Sequence, residues 1–193
     1  MTLLSTILEH NDQFVSEHQY EKFSTTKFPN KRVVILTCMD TRLIELLPSA
    51  MNFKNGDAKI VKSAGALVAH PFGSIMRSLL IAVYELQADE VYIVGHYDCG
   101  MSSIDTDSII DKMVARGIDR DLFKTLAYSG VDLKGWLHGF KDVTASVKQS
   151  VDAVRNHPLM DKTVPVHGLV IDPETGKLDV IEDGYSKTTV QND

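Results

Sequence analysis

The sequence predicts an α/β fold: a mostly parallel central β-sheet flanked by helices, with an N-terminal helical arm. Three observations predict it. Short β-branched runs at residues 32–37 (RVVILT), 90–95 (EVYIVG) and 164–171 read as buried strands. Between the first two runs, residues 74–87 place Ile75, Leu79, Ala82, Val83 and Leu86 at helical spacing. A length of 193 residues suits one domain with a single substantial core, so residues 1–193 read as one unit. Strands alternating with helices favour a parallel sheet.

The elements follow in order. Residues 3–20 are mostly polar, with Leu3, Leu4, Ile7, Leu8 and Val15 apolar, and predict an amphipathic helix that must lie against something. The strand at 32–37 comes next, then a weaker one at 58–61, the helix at 74–87 and the strand at 90–95. Polar-rich helical stretches are expected near 103–116 and 136–156. The strand at 164–171 leads into Asp172-Pro173-Glu174-Thr175-Gly176-Lys177, a turn signal, and a final strand at 178–181. No repeat, low-complexity tract or linker interrupts this pattern.

Composition narrows the function. Asp and Glu (26) outnumber Lys and Arg (20), which argues against a general nucleic-acid binder. No run approaches the roughly 20 apolar residues of a membrane span. The first 21 residues carry Glu9, Asp12 and Glu17 without a basic start or apolar run, so they do not read as a secretory signal. Two cysteines do not make a disulfide framework, and a reducing cytoplasm is the expected setting.

In open parallel sheets, ligands bind beyond the carboxyl ends of the strands. Beyond the first and third strands stand Cys38-Met39-Asp40-Thr41-Arg42 and His96-Tyr97-Asp98-Cys99-Gly100. Both cysteines of the chain therefore sit at strand ends, with a histidine, two aspartates and an arginine. Two thiolates and an imidazole suit zinc and leave one tetrahedral position open, the catalytic rather than the structural pattern. Taken singly, each cysteine would be an ordinary small buried hydrophobe and His96 a core histidine. Their joint placement favours the metal. A structural zinc would recruit a fourth Cys or His, and none is nearby. A redox C-x-x-C is absent, and Ile44 stands where a cysteine-phosphatase loop needs arginine.

C-x-D-x-R (Cys38 to Arg42), then Lys62-Ser63-Ala64-Gly65, then H-x-x-C-G (His96 to Gly100) resembles the β-class carbonic anhydrases. The resemblance implies one Zn²⁺ per chain on Cys38, His96 and Cys99, with Asp40 and Arg42 as a catalytic pair. It implies reversible hydration of carbon dioxide to bicarbonate through zinc-bound hydroxide, with Gly65 and Gly100 on the substrate side. It further implies a homodimer or dimer of dimers, with the arm at residues 1–30 packing on a partner subunit. Asp40 has two expected states: held by Arg42, or released onto the fourth zinc position to close the site. Where the family commonly has Arg-Asn before Ala-Gly, this chain has Lys62-Ser63, which keeps the charge but loses the guanidinium fork.

Two thiolates neutralise Zn²⁺ formally, so its water should ionise above the roughly pH 7 of a three-histidine site, and activity should rise on the alkaline side. The same scaffold hosts carbonyl sulfide and carbon disulfide hydrolases, and the motif does not separate these from carbon dioxide hydration. A non-catalytic zinc-binding homologue is the third reading, and the intact Asp40/Arg42 pair speaks against it. Asp98 reads either as support for a ligand or as a cap for a following helix. His70 could ferry protons, while His10, His18, His138, His157 and His167 read as surface or packing residues.

Overall fold

The computed structural model describes residues 1–187. Among the described residues, five strands form one sheet in the order β2-β1-β3-β4-β5. They are β1 (Val33–Cys38), β2 (Ala58–Ser63), β3 (Glu90–His96), β4 (Val166–Ile171) and β5 (Leu178–Glu182). The first four run parallel, and β5 folds back antiparallel on β4 through the predicted turn at 172–177. β1 and β4 are buried along their whole length, as apolar runs covered on both faces are.

Among the described residues there are seven α-helices: α1 (Leu3–Ser16), α2 (Leu43–Ala50), α3 (Ser74–Tyr84), α4 (Thr106–Ala115), α5 (Arg120–Tyr128), α6 (Leu133–Leu137) and α7 (Val143–Arg155), of which α2, α3 and α7 pack on the sheet. One core layer joins Val34, Leu36, Val91 and Ile93 to Met76 and Leu79 of α3 and to Val147, Val151 and Val154 of α7. The opposite layer joins Val33, Ile35, Val94, Leu169 and Ile171 to Leu43 and Leu47 of α2. Gly95 lets α7 approach, since a Cβ there would lie 2.7 Å from Val147 Cγ2.

The structure adjusts the sequence reading at three places. α2 and α5 were not anticipated. The stretch at 136–156 is two helices, because Gly139 passes so close to the Met101 carbonyl that a Cβ would collide with its oxygen. The cysteines also do not both lie past strand ends: Cys38 and His96 are the last residues of β1 and β3, and only Cys99 lies beyond.

α1 is capped by Thr2, whose hydroxyl accepts from the Ser5 N–H, yet it buries no residue. Leu3, Leu4, Ile7, Leu8 and Val15 are each more than half exposed. α4, α5 and α6 likewise bury nothing fully. No helix is long and apolar enough to cross a membrane among the described residues.

Candidate metal centre

The chain leaves β1 toward β2 on one side and reaches β3 on the other. The crevice between β1 and β3 is thus a switch point at the carboxyl ends of the strands. Pairing of Thr37 with Val94 holds the two strand ends together, and the Thr37 hydroxyl donates to the Val94 carbonyl at 3.0 Å. That pairing brings Cys38 beside His96 and Cys99. All three are buried, and their Sγ, Nε2 and Sγ atoms lie within 4.8 Å of one another.

The donor set fits a tetrahedral ion. The two sulfurs are 3.9 Å apart, and both cysteines are free thiols. Two Zn–S bonds of about 2.3 Å at a tetrahedral angle span roughly 3.8 Å. His96 Nδ1 donates to the Tyr97 carbonyl at 2.8 Å, which leaves the lone pair on Nε2. Nε2 is buried and has no hydrogen-bond partner. A buried unpaired nitrogen is costly unless something binds it, and a cation between it and two sulfurs would do so.

Electrostatics favour the same use. The Cys38 thiol is pulled well below its ordinary value by its hydrogen bond with Cys99, against the opposing effect of burial. Cys99 is pushed up by the same contact and by burial. Each thiol thus acts on the ionisation of the other, and a cation between the two sulfurs would favour both thiolates. The Gly65 N–H donates to Cys38 Sγ at 3.4 Å. Gly65 has φ +73°, and an added Cβ would lie 2.9 Å from Phe140 Cε1 and 3.0 Å from Met101 Cγ. Burial pulls the His96 pKa down, but the neighbouring Cys38 sulfur and the Tyr97 carbonyl outweigh it and raise it overall.

Asp40 lies at the rim. Its Oδ2 is 3.7 Å from His96 Nε2. Arg42 grips it with Nε on Oδ1 at 3.0 Å and Nη2 on Oδ2 at 2.9 Å, while the Arg42 N–H donates to Oδ1 at 2.9 Å. The guanidinium holds the Asp40 carboxyl down at about 2, well below its usual range.

The sequence reading missed two contacts. Asp98 does not cap the short helical turn Gly100–Ser103 but accepts from Arg42. The Gly65 N–H meets the Cys38 sulfur, a contact between residues 27 positions apart that local sequence does not show. A Cβ on Gly100 would meet nothing within 4 Å, so this glycine faces open space. Lys62 is exposed, and Ser63 offers its carbonyl to the Met39 N–H at 3.0 Å. His70 is exposed and lines a groove of about 480 Å³ with Ser63, Ala64, Met101 and Trp136.

Comparison with known proteins agrees on the family. The family model for carbonic anhydrase matches residues 33–178. YvdA of Bacillus subtilis (strain 168), named a carbonic anhydrase on a provisional basis, is 60% identical over 192 residues, covering 100% of this chain and 98% of its own. The crystal structure of β-carbonic anhydrase isoform I from Trichomonas vaginalis superposes with a TM-score of 0.87. It is 38% identical and covers 96% of this chain and 100% of that one. A carbon disulfide hydrolase of Acidithiobacillus thiooxidans is 30% identical over 155 residues, covering 77% of this chain and 76% of its own.

Proposed function

This chain belongs to the β-carbonic anhydrase family, and from that premise we propose that it catalyses the reversible hydration of carbon dioxide to bicarbonate and a proton. Cys38, His96 and Cys99 would hold one Zn²⁺ per chain. Bound there, zinc supplies the Lewis acidity that brings a water toward ionisation near neutral pH.

The observation that carries the reading is the tethered Asp40 carboxylate, 3.7 Å from the unpaired His96 Nε2 and gripped by Arg42 at both oxygens. A carboxylate so held accepts a hydrogen bond from the attacking water and aims its remaining lone pair at the substrate carbon. Because Asp40 stays ionised far below neutrality, it acts as an acceptor throughout the working range. Arg42 keeps that carboxylate off the metal position. The Gly65 N–H steadies the Cys38 sulfur, and its bare Cα lets Phe140 and Met101 close over it. Gly100, facing open space beside Cys99, offers backbone to the bicarbonate. The groove lined by Ser63, Ala64, Met101 and Trp136 gives a small neutral molecule an apolar approach.

The exposed apolar stripe of α1 supports an arm packing on a partner subunit, and so a homodimer or a dimer of dimers. Cytoplasmic residence fits two buried free thiols.

The 30% identity to a carbon disulfide hydrolase favours a second reading, in which the same centre attacks that linear molecule. Stopped-flow hydration of carbon dioxide by the purified, zinc-quantified protein, with carbon disulfide as competitor, tests both. Hydration that rises from pH 6.5 to 9 supports the first reading. Turnover of carbon disulfide without hydration replaces it with the second.

A further inference from the structure

We propose that Asp98 is a positioning residue that holds Arg42, and through it Asp40, in the working arrangement. This inference rests on the roles given to Asp40 and Arg42 above and adds a third group to them.

The guanidinium of Arg42 has five N–H donors in a fixed plane. Nε and Nη2 serve Asp40. Nη2 also donates to the Asp98 carbonyl at 3.0 Å, and Nη1 donates to Asp98 Oδ2 at 3.0 Å. Four of the five donors are thus committed, two to each aspartate. Asp40 follows Cys38 on the loop after β1, and Asp98 stands between His96 and Cys99 on the loop after β3. Arg42 therefore straps together the two loops that carry the candidate ligands, with a carboxylate on each side. The loop also presents Asp98 in a special conformation: its φ is +51°, a left-handed value that aspartate tolerates better than most residues.

Asp40 lies close enough to the three donors to swing onto the metal position. An arginine gripped by Asp40 alone could follow it or let it go. One also anchored to Asp98 cannot move without losing a second ion pair. Asp98 thus sets the fraction of chains in which Asp40 stays off the metal. The size of the effect is bounded, because the Asp98 side chain is 86% exposed and that of Arg42 39%. Solvent-exposed pairs are weak, so the expected change is about two- to fivefold.

The test uses cobalt(II) in place of zinc, since its visible spectrum reports the ligand set, with azide as a competitor for the fourth position. Asp98→Gly removes the carboxylate while keeping the positive φ. Asp98→Asn keeps a neutral acceptor. Asp98→Gly is expected to weaken azide binding about two- to fivefold, because Asp40 then competes for the ion, and Asp98→Asn should recover part of the loss. In an Arg42→Ala background Asp98→Gly should have no further effect. Equal azide affinity in wild type and Asp98→Gly overturns the proposal, and so does the same loss with and without Arg42. Carbon dioxide turnover should fall by the same factor. If the wild type does not hydrate carbon dioxide, the functional reading fails, and the cobalt spectra still decide the role of Asp98.

Discussion

A buried histidine stands beside a carboxylate at each end of the paired strands β3 and β4, His96 on β3 and His167 on β4, and the two are built for opposite purposes. At the carboxyl end, His96 Nε2 lies 3.7 Å from Asp40; at the amino end, His167 Nε2 lies 3.6 Å from Glu90. Neither Nε2 has a hydrogen-bond partner. The other ring nitrogen separates them. His96 Nδ1 donates to a carbonyl, so its Nε2 presents a lone pair to two sulfurs. His167 Nδ1 accepts from the Gly184 N–H at 3.1 Å, so its Nε2 carries the proton and points it at Glu90. His167 also stacks on Tyr92 and meets the edge of Tyr185, and both tyrosine hydroxyls donate to Glu90. A buried histidine near an acid is therefore not enough to mark a metal site; the tautomer set by its far nitrogen and the sulfurs it faces are what distinguish one.

Matched substitutions test that contrast most strongly. His96→Ala should lose its zinc, read by elemental analysis, and lower hydration by on the order of a thousandfold or more. His167→Ala should keep one zinc per chain. If both variants keep their metal, the distinction drawn from tautomers is wrong. Next in size, Arg42→Ala should keep its zinc yet lower turnover about ten- to a hundredfold, as the loss of a contact that orients a ligand or acceptor does. Undiminished turnover in stopped flow would remove Arg42 from the chemistry.

The smallest expected effect concerns acid stability at the other end of this strand pair. Burial lowers the His167 pKa, partly opposed by the charges of Glu90 and Asp183 and reinforced by Arg155. The unfolded chain therefore binds this proton more readily than the folded one. Its stabilising contribution is complete above the unfolded value of about 6.5 and is lost as pH falls through the depressed folded value. The slope is at most about 1.4 kcal/mol per pH unit. Urea unfolding of His167→Gln between pH 5 and 7 should be less pH-dependent than that of the wild type. Equal slopes would mean that His167 does not titrate differently on folding.

Much of the site was legible because its residues fall where buried β-branched runs stop. Cys38 and His96 close the strands with the strongest apolar signal, and the spacing of His96 and Cys99 identifies one loop. The elements that escaped did so for separate physical reasons. α2 is only eight residues long and carries Pro48 inside, which interrupts a helical pattern. α5 is nine residues long and buries none of them fully, and its apolar stripe of Leu122, Phe123 and Leu126 spans barely more than one turn. The break between α6 and α7 depends on Gly139 passing the Met101 carbonyl, a contact between distant segments that local pattern cannot show. Asp98 was ambiguous for the same reason, since its partner is 56 residues away.

The order of the strands also bears on when the ion can arrive. Between Cys38 and His96 the chain must complete α2, β2 and α3, so a nascent polypeptide offers an ion at most a pair of donors until β1 and β3 have found each other. The two apolar layers are built almost wholly of side chains that do not bind metals, whereas the three-donor centre needs both strands in place. Loading is thus a late event, and its binding energy adds to a sheet already assembled.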